Sequence, residues 1–158
     1  MNQEHEDLIE KFYQSFANLD AEGMAACYHQ DIVFEDPAFG ELNGEHAGNM
    51  WRMLCASQKG KGFVVKHFAV VADDKNGTAE WEAWYTFSKT GRKVHNKISA
   101  QFEFSDGKII KHVDSFDLRK WAKQALGFKG ILLGGTNFFK KKLQAQTNSM
   151  LRKFERSF

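Results

Sequence analysis

The fold of this chain is decided by a stretch in its second half. Residues 76–107 read NGTAEWEAWYTFSKTGRKVHNKISAQFEFSDG. Three tight-turn signals occur here at nearly even intervals: Asn76-Gly77, Thr90-Gly91 and Asp106-Gly107. They divide the region into four predicted strands, at about 63–73, 78–88, 93–105 and 108–117. Strands joined by turns this short are antiparallel neighbours, so the pattern predicts a meander.

Alternation along these strands assigns one side of the sheet to the interior, because successive side chains point to opposite faces. The predicted inward set is Trp81, Ala83, Tyr85, Phe87, Asn96, Ile98, Ala100, Phe102, Phe104, His112, Asp114 and Phe116. The outer face carries mainly charged and polar side chains, together with Trp84. Because this tryptophan would otherwise be exposed, we expect a homodimer formed through the outer sheet face.

The region before the sheet is predicted to be mainly helical. Ile9, Phe12, Phe16 and Leu19 recur at three- and four-residue spacing, which predicts a helix over residues 4–19. The other predicted elements are a helix over 21–28, a strand over 32–35, a helix after Asn43-Gly44 to about Gln58, a helix over 118–126, a connector over 130–135 and a last helix over 137–156. Three helices on a curled antiparallel sheet form an α+β cone with a C-terminal helical extension.

Composition and charge narrow the class of protein. Of 158 residues 42% are hydrophobic and only one is proline, which excludes a disordered chain. No apolar run approaches the roughly 18 residues of a membrane span, so no membrane contact is expected. The acidic start lacks the features of a signal peptide. Cys27 and Cys55 lack metal-ligand spacing, so a reduced, cytoplasmic protein is expected.

Charge is unevenly distributed along the chain. Residues 1–118 carry 12 basic and 19 acidic side chains, whereas residues 119–158 carry 10 basic and 1 acidic. A basic tail of this kind contacts an anionic partner, a sister subunit or its own acidic body. Its apolar helical stripe favours the body, so nucleic-acid binding is not expected. A docking arm for an acidic protein or nucleic acid is the weaker alternative.

Several short motifs resemble one known family. They are Phe34-Glu35-Asp36-Pro37, Phe39-Gly40, Asn43-Gly44 and the Asp106-Gly107 hairpin before Lys108-Ile109-Ile110. In this order they resemble the nuclear transport factor 2-like superfamily, and within it the SnoaL-like and ketosteroid-isomerase-like branch. The resemblance implies a cone domain over residues 1–118, with 119–158 as its helical extension. It does not imply one function, because the superfamily contains isomerases, cyclases, hydrolases and non-catalytic binding modules.

Asp36 is the first candidate catalytic residue. The resemblance implies a general base at the mouth of the pocket. The residues supply an independent reason, because a carboxylate lined by Phe39, Trp51 and Phe116 would be desolvated and its pKa raised. The alternative is a turn carboxylate that accepts backbone N–H groups ahead of Pro37.

The oxyanion donors of the family's isomerases are absent at their expected positions. Phe12 stands where the resemblance implies a phenolic donor, with Tyr13 one residue off the apolar stripe. Ala100 stands where it implies a protonated acid. A steroid isomerase mechanism is therefore disfavoured.

His112 and Asp114 complete the candidate catalytic group. Two residues apart on a strand, they point the same way into the cone, and with Asp36 they supply an imidazole and two carboxylates. Such a group serves as general acid and base or activates a water molecule. SnoaL-like cyclases are similar in using an aspartate and a histidine without a cofactor. The alternative is a His–Asp pair that only satisfies its own hydrogen bonds.

An aromatic-rich interior suits a small apolar ligand, although aromatic stripes usually form core. The candidate ligand-binding residues are Phe12, Phe39, Trp51, Trp81, Tyr85, Asn96, Ala100, Phe102, Phe116 and Trp121. Asn96 is also a possible orienting donor. The histidines are scattered, so neither a metal nor another cofactor is expected. The leading hypothesis is a cofactor-free isomerase, cyclase or hydrolase acting on a small apolar carbonyl or epoxide compound. The alternative is a non-catalytic ligand-binding or protein-association module.

Overall fold

The computed structural model describes all 158 residues and shows an α+β fold in which helices pack on one curled sheet. The helices are α1 Gln3–Ala17, α2 Ala21–Ala25, α3 Glu45–Gln58, α4 Leu118–Leu126, α5 Phe128–Leu133 and α6 Asn137–Glu155. The strands are β1 Tyr28–Asp36, β2 Gly40–Asn43, β3 Val64–Ala72, β4 Asn76–Phe87, β5 Arg92–Ser105 and β6 Lys108–Ser115. None of the helices is both long and apolar enough to cross a membrane.

The predicted meander is confirmed. The six strands lie in the order β2-β1-β6-β5-β4-β3, and the last four strands of the chain pair antiparallel in sequence order. Trp81 lies opposite Ile98, and Ala100 lies opposite Asp114, all on the buried face. The register directs the predicted inward set to the core.

Thr90-Gly91 and Asp106-Gly107 lie in turns as predicted, whereas Asn76-Gly77 lies inside β4. The turn before β4 is formed by residues 73–75, because Asp73 accepts the backbone N–H groups of Lys75 and Asn76.

The region around β1 differs from the prediction in two respects. The predicted helix over 21–28 ends at Ala25, and Tyr28 instead begins a strand of nine residues. This strand pairs parallel to β6, and the unpredicted strand β2 pairs antiparallel to it. The pairing with β6 shifts register between Tyr28 and Val33. Such an irregularity breaks the alternation by which a strand is recognised in sequence.

The core fills the space between the N-terminal helices and the sheet. One cluster of 25 buried residues includes the predicted stripe Ile9, Phe12 and Phe16 of α1. A second cluster of four buried residues, Trp121 among them, lies under α4. Tyr85 and Phe116 pack against both clusters, so α4 extends the core at the open end of the cone.

The C-terminal extension packs against the body of its own chain. Leu151 of α6 is buried in the main cluster, and Glu155 accepts hydrogen bonds from His46 at 2.6 Å and Asn49 at 2.7 Å. Part of the predicted connector over 130–135 is wrong, because residues 128–133 form helix α5. Gly130 lies within α5 and packs closely on Ala122 of α4, whereas Gly134 and Gly135 lie in the turn before α6.

On the outer face of the sheet, neighbouring side chains of the same chain cover part of Trp84. The indole stacks on the imidazole of His95 with ring centroids 4.4 Å apart, and the ammonium of Lys66 lies 5.7 Å from its centre. Trp84 is half-buried as a result. The homodimer stays a prediction, with less apolar surface at this residue to support it than the sequence suggested.

Candidate active site

The parallel pairing of β1 and β6 places two aspartates on neighbouring strands. Phe34 pairs with His112 and Glu35 with Val113, so the next step of the same register sets Asp36 beside Asp114. Neighbouring strands lie about 4.8 Å apart. Alternation turns both carboxyl groups to the inner face, and Asp36 is the more exposed of the two. The structure therefore brings together the three predicted catalytic residues, Asp36, His112 and Asp114.

The Asp36 carboxyl is at once a turn ligand and a desolvated acid. Its Oδ1 accepts the backbone N–H of Ala38 at 3.0 Å and that of Phe39 at 2.7 Å. Its pKa is raised from 3.8 to about 7, mainly by burial, with the charges of Asp114 and Glu35 adding to the rise and the two N–H groups opposing it. Both interpretations of this residue are thus physically present, and the carboxyl titrates close to neutrality.

A chain of buried hydrogen bonds runs from Trp51 to Asp114. The Trp51 indole N–H donates to the Tyr28 hydroxyl at 2.9 Å, and that hydroxyl lies 2.8 Å from His112 Nδ1. His112 Nε2 lies 2.9 Å from Asp114 Oδ1, which also accepts the indole N–H of Trp81 at 3.3 Å. The His112 ring is fully buried.

The donors and acceptors along this series of hydrogen bonds indicate which ring nitrogen of His112 carries the proton. Since Trp51 donates to the Tyr28 oxygen, the Tyr28 O–H is free to donate to His112 Nδ1, and the ring proton lies on Nε2. Burial raises the pKa of Tyr28 well above its ordinary value, so the phenol keeps its proton. Both donors to Asp114 converge on Oδ1, which leaves Oδ2 without a protein partner. That oxygen is available to accept a proton.

The expectation that Tyr13 lies off the apolar stripe of α1 is wrong, because it is among the buried residues of that helix. The side chain is fully buried, its hydroxyl has no hydrogen-bond partner, and the charge of Asp114 adds to burial in raising its pKa. It follows Ile9 by four residues and precedes Phe16 by three. That spacing places it on the buried stripe beside Phe12, and it was the available signal. An unpaired buried phenol near a carboxylate is a donor without an acceptor.

The remaining predicted ligand-binding residues divide into a packed base and a partly open mouth. The base surrounds the imidazole, with ring centroids of Phe102 at 4.5 Å and Phe12 at 5.4 Å from it. Trp51, Trp81, Ala100 and Phe39 are also buried. The mouth contains the partly exposed Tyr85, Asn96 and Phe116, with the buried Trp121 donating its indole N–H to the Tyr85 hydroxyl at 2.7 Å.

Two cavities lie outside this catalytic group. One of about 310 Å³ is lined mainly by outward residues of β4, β5 and β6, among them Thr78 and Lys111. The other, of about 420 Å³, lies between α4 and the far ends of β4 and β5, with Tyr85 on its wall. Neither cavity is lined by Asp36, His112 or Asp114.

Sequence comparison identifies the family. The family model of the SnoaL-like domain matches residues 9–112, two-thirds of the chain and most of the candidate site. The chain belongs to the SnoaL-like domain family. No protein of curated function matches it significantly by sequence.

Solved structures with the same fold include several kinds of protein. An LEH-like epoxide hydrolase of M. tuberculosis is 26% identical, with a TM-score of 0.60 over 84% of this chain and 92% of its own. A candidate polyketide cyclase of Xanthomonas campestris pv. campestris is 19% identical, with a TM-score of 0.62 over 77% and 96%. TerC, co-crystallised with polyporic acid, is 19% identical, with a TM-score of 0.58 over 70% and 89%. These likenesses confirm the nuclear transport factor 2-like cone.

In this SnoaL-like protein, helix α6 holds the turn that follows Asp36. Three consecutive turn carbonyls accept hydrogen bonds from α6 side chains: Pro37 from Gln144 at 3.1 Å, Ala38 from Thr147 at 2.7 Å and Phe39 from Asn148 at 2.7 Å. The N–H groups of the same Ala38 and Phe39 bind the Asp36 carboxyl. The C-terminal extension therefore positions a carboxyl group of the candidate site.

Proposed function

We propose that this SnoaL-like protein is a cofactor-free enzyme that acts by acid–base catalysis on a small apolar epoxide or carbonyl compound. The observation that carries the proposal is the pair of carboxyl groups on neighbouring strands, held in different surroundings. Asp36 has a pKa of about 7, whereas Asp114 accepts two N–H donors on one oxygen. Carboxyl groups made unequal in this way divide the roles of acid and base.

For an epoxide, each carboxyl group has a defined part. Protonated Asp36 donates its proton to the ring oxygen, while Asp114 Oδ2 accepts a proton from the water that attacks a ring carbon. One ring C–O bond breaks and one C–O bond to the water oxygen forms, which yields a diol. Transfer of the proton from Asp114 to its neighbour Asp36 restores the starting state. The Tyr13 hydroxyl supplies a hydrogen bond to the substrate oxygen.

For a carbonyl compound, the same pair acts in a different order. Ionised Asp36 removes a proton from the carbon beside the carbonyl group and returns it to another carbon. The reaction is then an isomerisation, and no cofactor is required because no atom or electron is gained or lost. The structural neighbour at 26% identity is an epoxide hydrolase, which supports the epoxide as the first substrate class to test. The aromatic mouth supports an apolar substrate.

The test is conversion of a panel of small apolar epoxides in isotopically labelled water, followed by mass spectrometry. Wild-type protein is expected to incorporate one labelled oxygen per diol. We expect Asp36→Asn and Asp114→Asn to lower conversion by about a hundredfold or more, the usual contribution of a general acid or base. Glu35→Gln is the matched control, because its exposed carboxylate lies on the same strand but on the other face. Equal conversion by Asp36→Asn and wild type would refute the assignment.

The second candidate is a non-catalytic ligand-binding module. It is favoured by the full burial of His112 among aromatic rings and by the complete pairing of both its ring nitrogens. A binding module would bind an apolar aromatic ligand equally well in wild type and in Asp36→Asn, and neither protein would convert it. Binding measured by tryptophan fluorescence alongside the epoxide panel separates the two functions.

A further inference from the structure

The C-terminal extension exposes five large apolar side chains that lie close together in sequence. Phe128, Ile131, Leu132 and Leu133 of α5 and Phe138 at the start of α6 form this group, which we term the apolar tip. Each is between 42% and 72% exposed. Single exposed apolar residues are ordinary on protein surfaces, but five within eleven consecutive residues form a patch of the kind that marks an interaction surface.

The packing of α5 requires these side chains to face outward. A Cβ atom on Gly130 would lie 2.0 Å from the carbonyl oxygen of Ala122, and one on Gly134 would lie 2.6 Å from the Ala122 Cβ. Only glycine permits so close an approach. Helix α5 therefore packs on α4 through its glycines and presents its large residues to the outside, so rotating α5 to bury them would break this contact.

The surroundings of the apolar tip are positively charged throughout. Residues 119–142 contain seven basic side chains and no acidic one, although the preceding part of the chain is acidic overall. The seven are all exposed: Arg119, Lys120, Lys123, Lys129, Lys140, Lys141 and Lys142. Phe138 lies three and four residues before Lys141 and Lys142, which places an aromatic ring and two ammonium groups on one side of α6.

We propose that the apolar tip docks on the surface of an anionic phospholipid bilayer. The partner must accept large apolar side chains and compensate a cluster of positive charge, and an anionic interface supplies both. Nucleic acid supplies phosphates but no apolar phase for aliphatic side chains. A symmetric contact with a second copy would bring the two basic clusters together. The protein would lie on the surface of the bilayer without crossing it. The proposal does not depend on the chemistry at Asp36.

This inference reverses the expectation of no membrane contact. That expectation rested on the absence of a spanning segment, and residues 130–135 were expected to form a connector. The structure changes the second premise, because the connector is largely a helix whose apolar residues are exposed beside the lysines.

The test is co-sedimentation of the full chain with vesicles of phosphatidylcholine alone or with one-third phosphatidylglycerol. We expect binding to the anionic vesicles to be at least about tenfold tighter than to the neutral ones, and to weaken between about 50 and about 300 mM salt. Leu132→Ser with Phe128→Ser should abolish binding. Phe68→Ser with Val71→Ser is the matched control, because these residues are 51% and 57% exposed on β3 and should leave binding intact.

Circular dichroism establishes that both double variants are folded before vesicles are added. Equal binding to neutral and anionic vesicles, equal loss in both double variants, or no binding by wild type would overturn the proposal. A wild-type protein that is dimeric in solution, together with a monomeric Leu132→Ser and Phe128→Ser double variant, would also overturn the proposal. The apolar tip would then contact a second copy of the chain. Light scattering coupled to size-exclusion chromatography measures the mass of each protein in solution.

Discussion

The stability of the folded chain should fall as pH rises from about 4 to about 7 because of Asp36. Its carboxyl has a pKa of about 7 in the folded state and 3.8 ordinarily, so between these values the folded chain holds a proton that the unfolded chain has released. Folding takes up a proton in this window, and raising the pH therefore favours the unfolded state. The contribution of Asp36 to stability is complete below the lower pKa and lost above the higher one.

The magnitude follows from the difference between the two pKa values. At 1.36 kcal/mol per pH unit, a shift of about 3 units corresponds to about 4 kcal/mol across the whole window. The part between pH 5 and pH 7 is about 2 kcal/mol. This is a large fraction of the stability of a typical domain.

The assay is urea unfolding followed by tryptophan fluorescence at several pH values, for wild type and Asp36→Asn. Asparagine carries no charge, and its side-chain oxygen still accepts the N–H groups of Ala38 and Phe39. The variant should therefore gain about 3 kcal/mol relative to wild type between pH 5 and pH 8. Asp31→Asn is the control and should run nearly parallel to wild type, because its carboxyl group is exposed on the same strand. Parallel curves for Asp36→Asn and wild type would refute the reasoning.

Three further predictions concern the groups around the two carboxyls. Tyr28→Phe leaves the Trp51 N–H and His112 Nδ1 unpaired in the core, so urea unfolding should show a loss of about 2–3 kcal/mol. Tyr13→Phe removes a hydroxyl that has no hydrogen-bond partner, so urea unfolding should show no loss of stability or a gain of up to about 1 kcal/mol. Epoxide conversion should fall in the same variant. A loss of stability like that of Tyr28→Phe would contradict this prediction. Thr147→Val with Asn148→Ala removes two bonds to the turn after Asp36 and should cost about 1–3 kcal/mol. In the same variant the alkaline limb of the pH profile for epoxide conversion should move upward, because the Ala38 and Phe39 N–H groups that lower the pKa of Asp36 lose alignment. An unchanged profile would make α6 a purely structural support.

The sheet was predictable because its decisive information is local. Each tight turn joins strands that are neighbours in sequence, so the pairing of Trp81 with Ile98 follows from a turn a few residues away. The inward direction of His112 and Asp114 follows from alternation along one strand.

The adjacency of Asp36 and Asp114 was not predictable in the same way. It depends on a parallel pairing between strands more than seventy residues apart, which no local turn encodes. The irregular register after Tyr28 hid the first half of β1, and with it the tyrosine that links Trp51 to His112. Helix α5 was missed for another reason. Gly130 and Gly134 suggested a loop, but glycine also occurs where two helices pack closely, as these two residues do against α4.

The most direct test of the carboxyl pair is a carbon-13 NMR titration of the aspartate carboxyl groups, with Asp36 assigned by its absence in Asp36→Asn. We expect Asp36 to titrate near pH 7 in wild type and at a lower pH in Asp114→Asn, because that variant lacks the neighbouring charge that raises the pKa of Asp36. An Asp36 that titrates near 3.8, or whose titration is unaffected by Asp114→Asn, would contradict it.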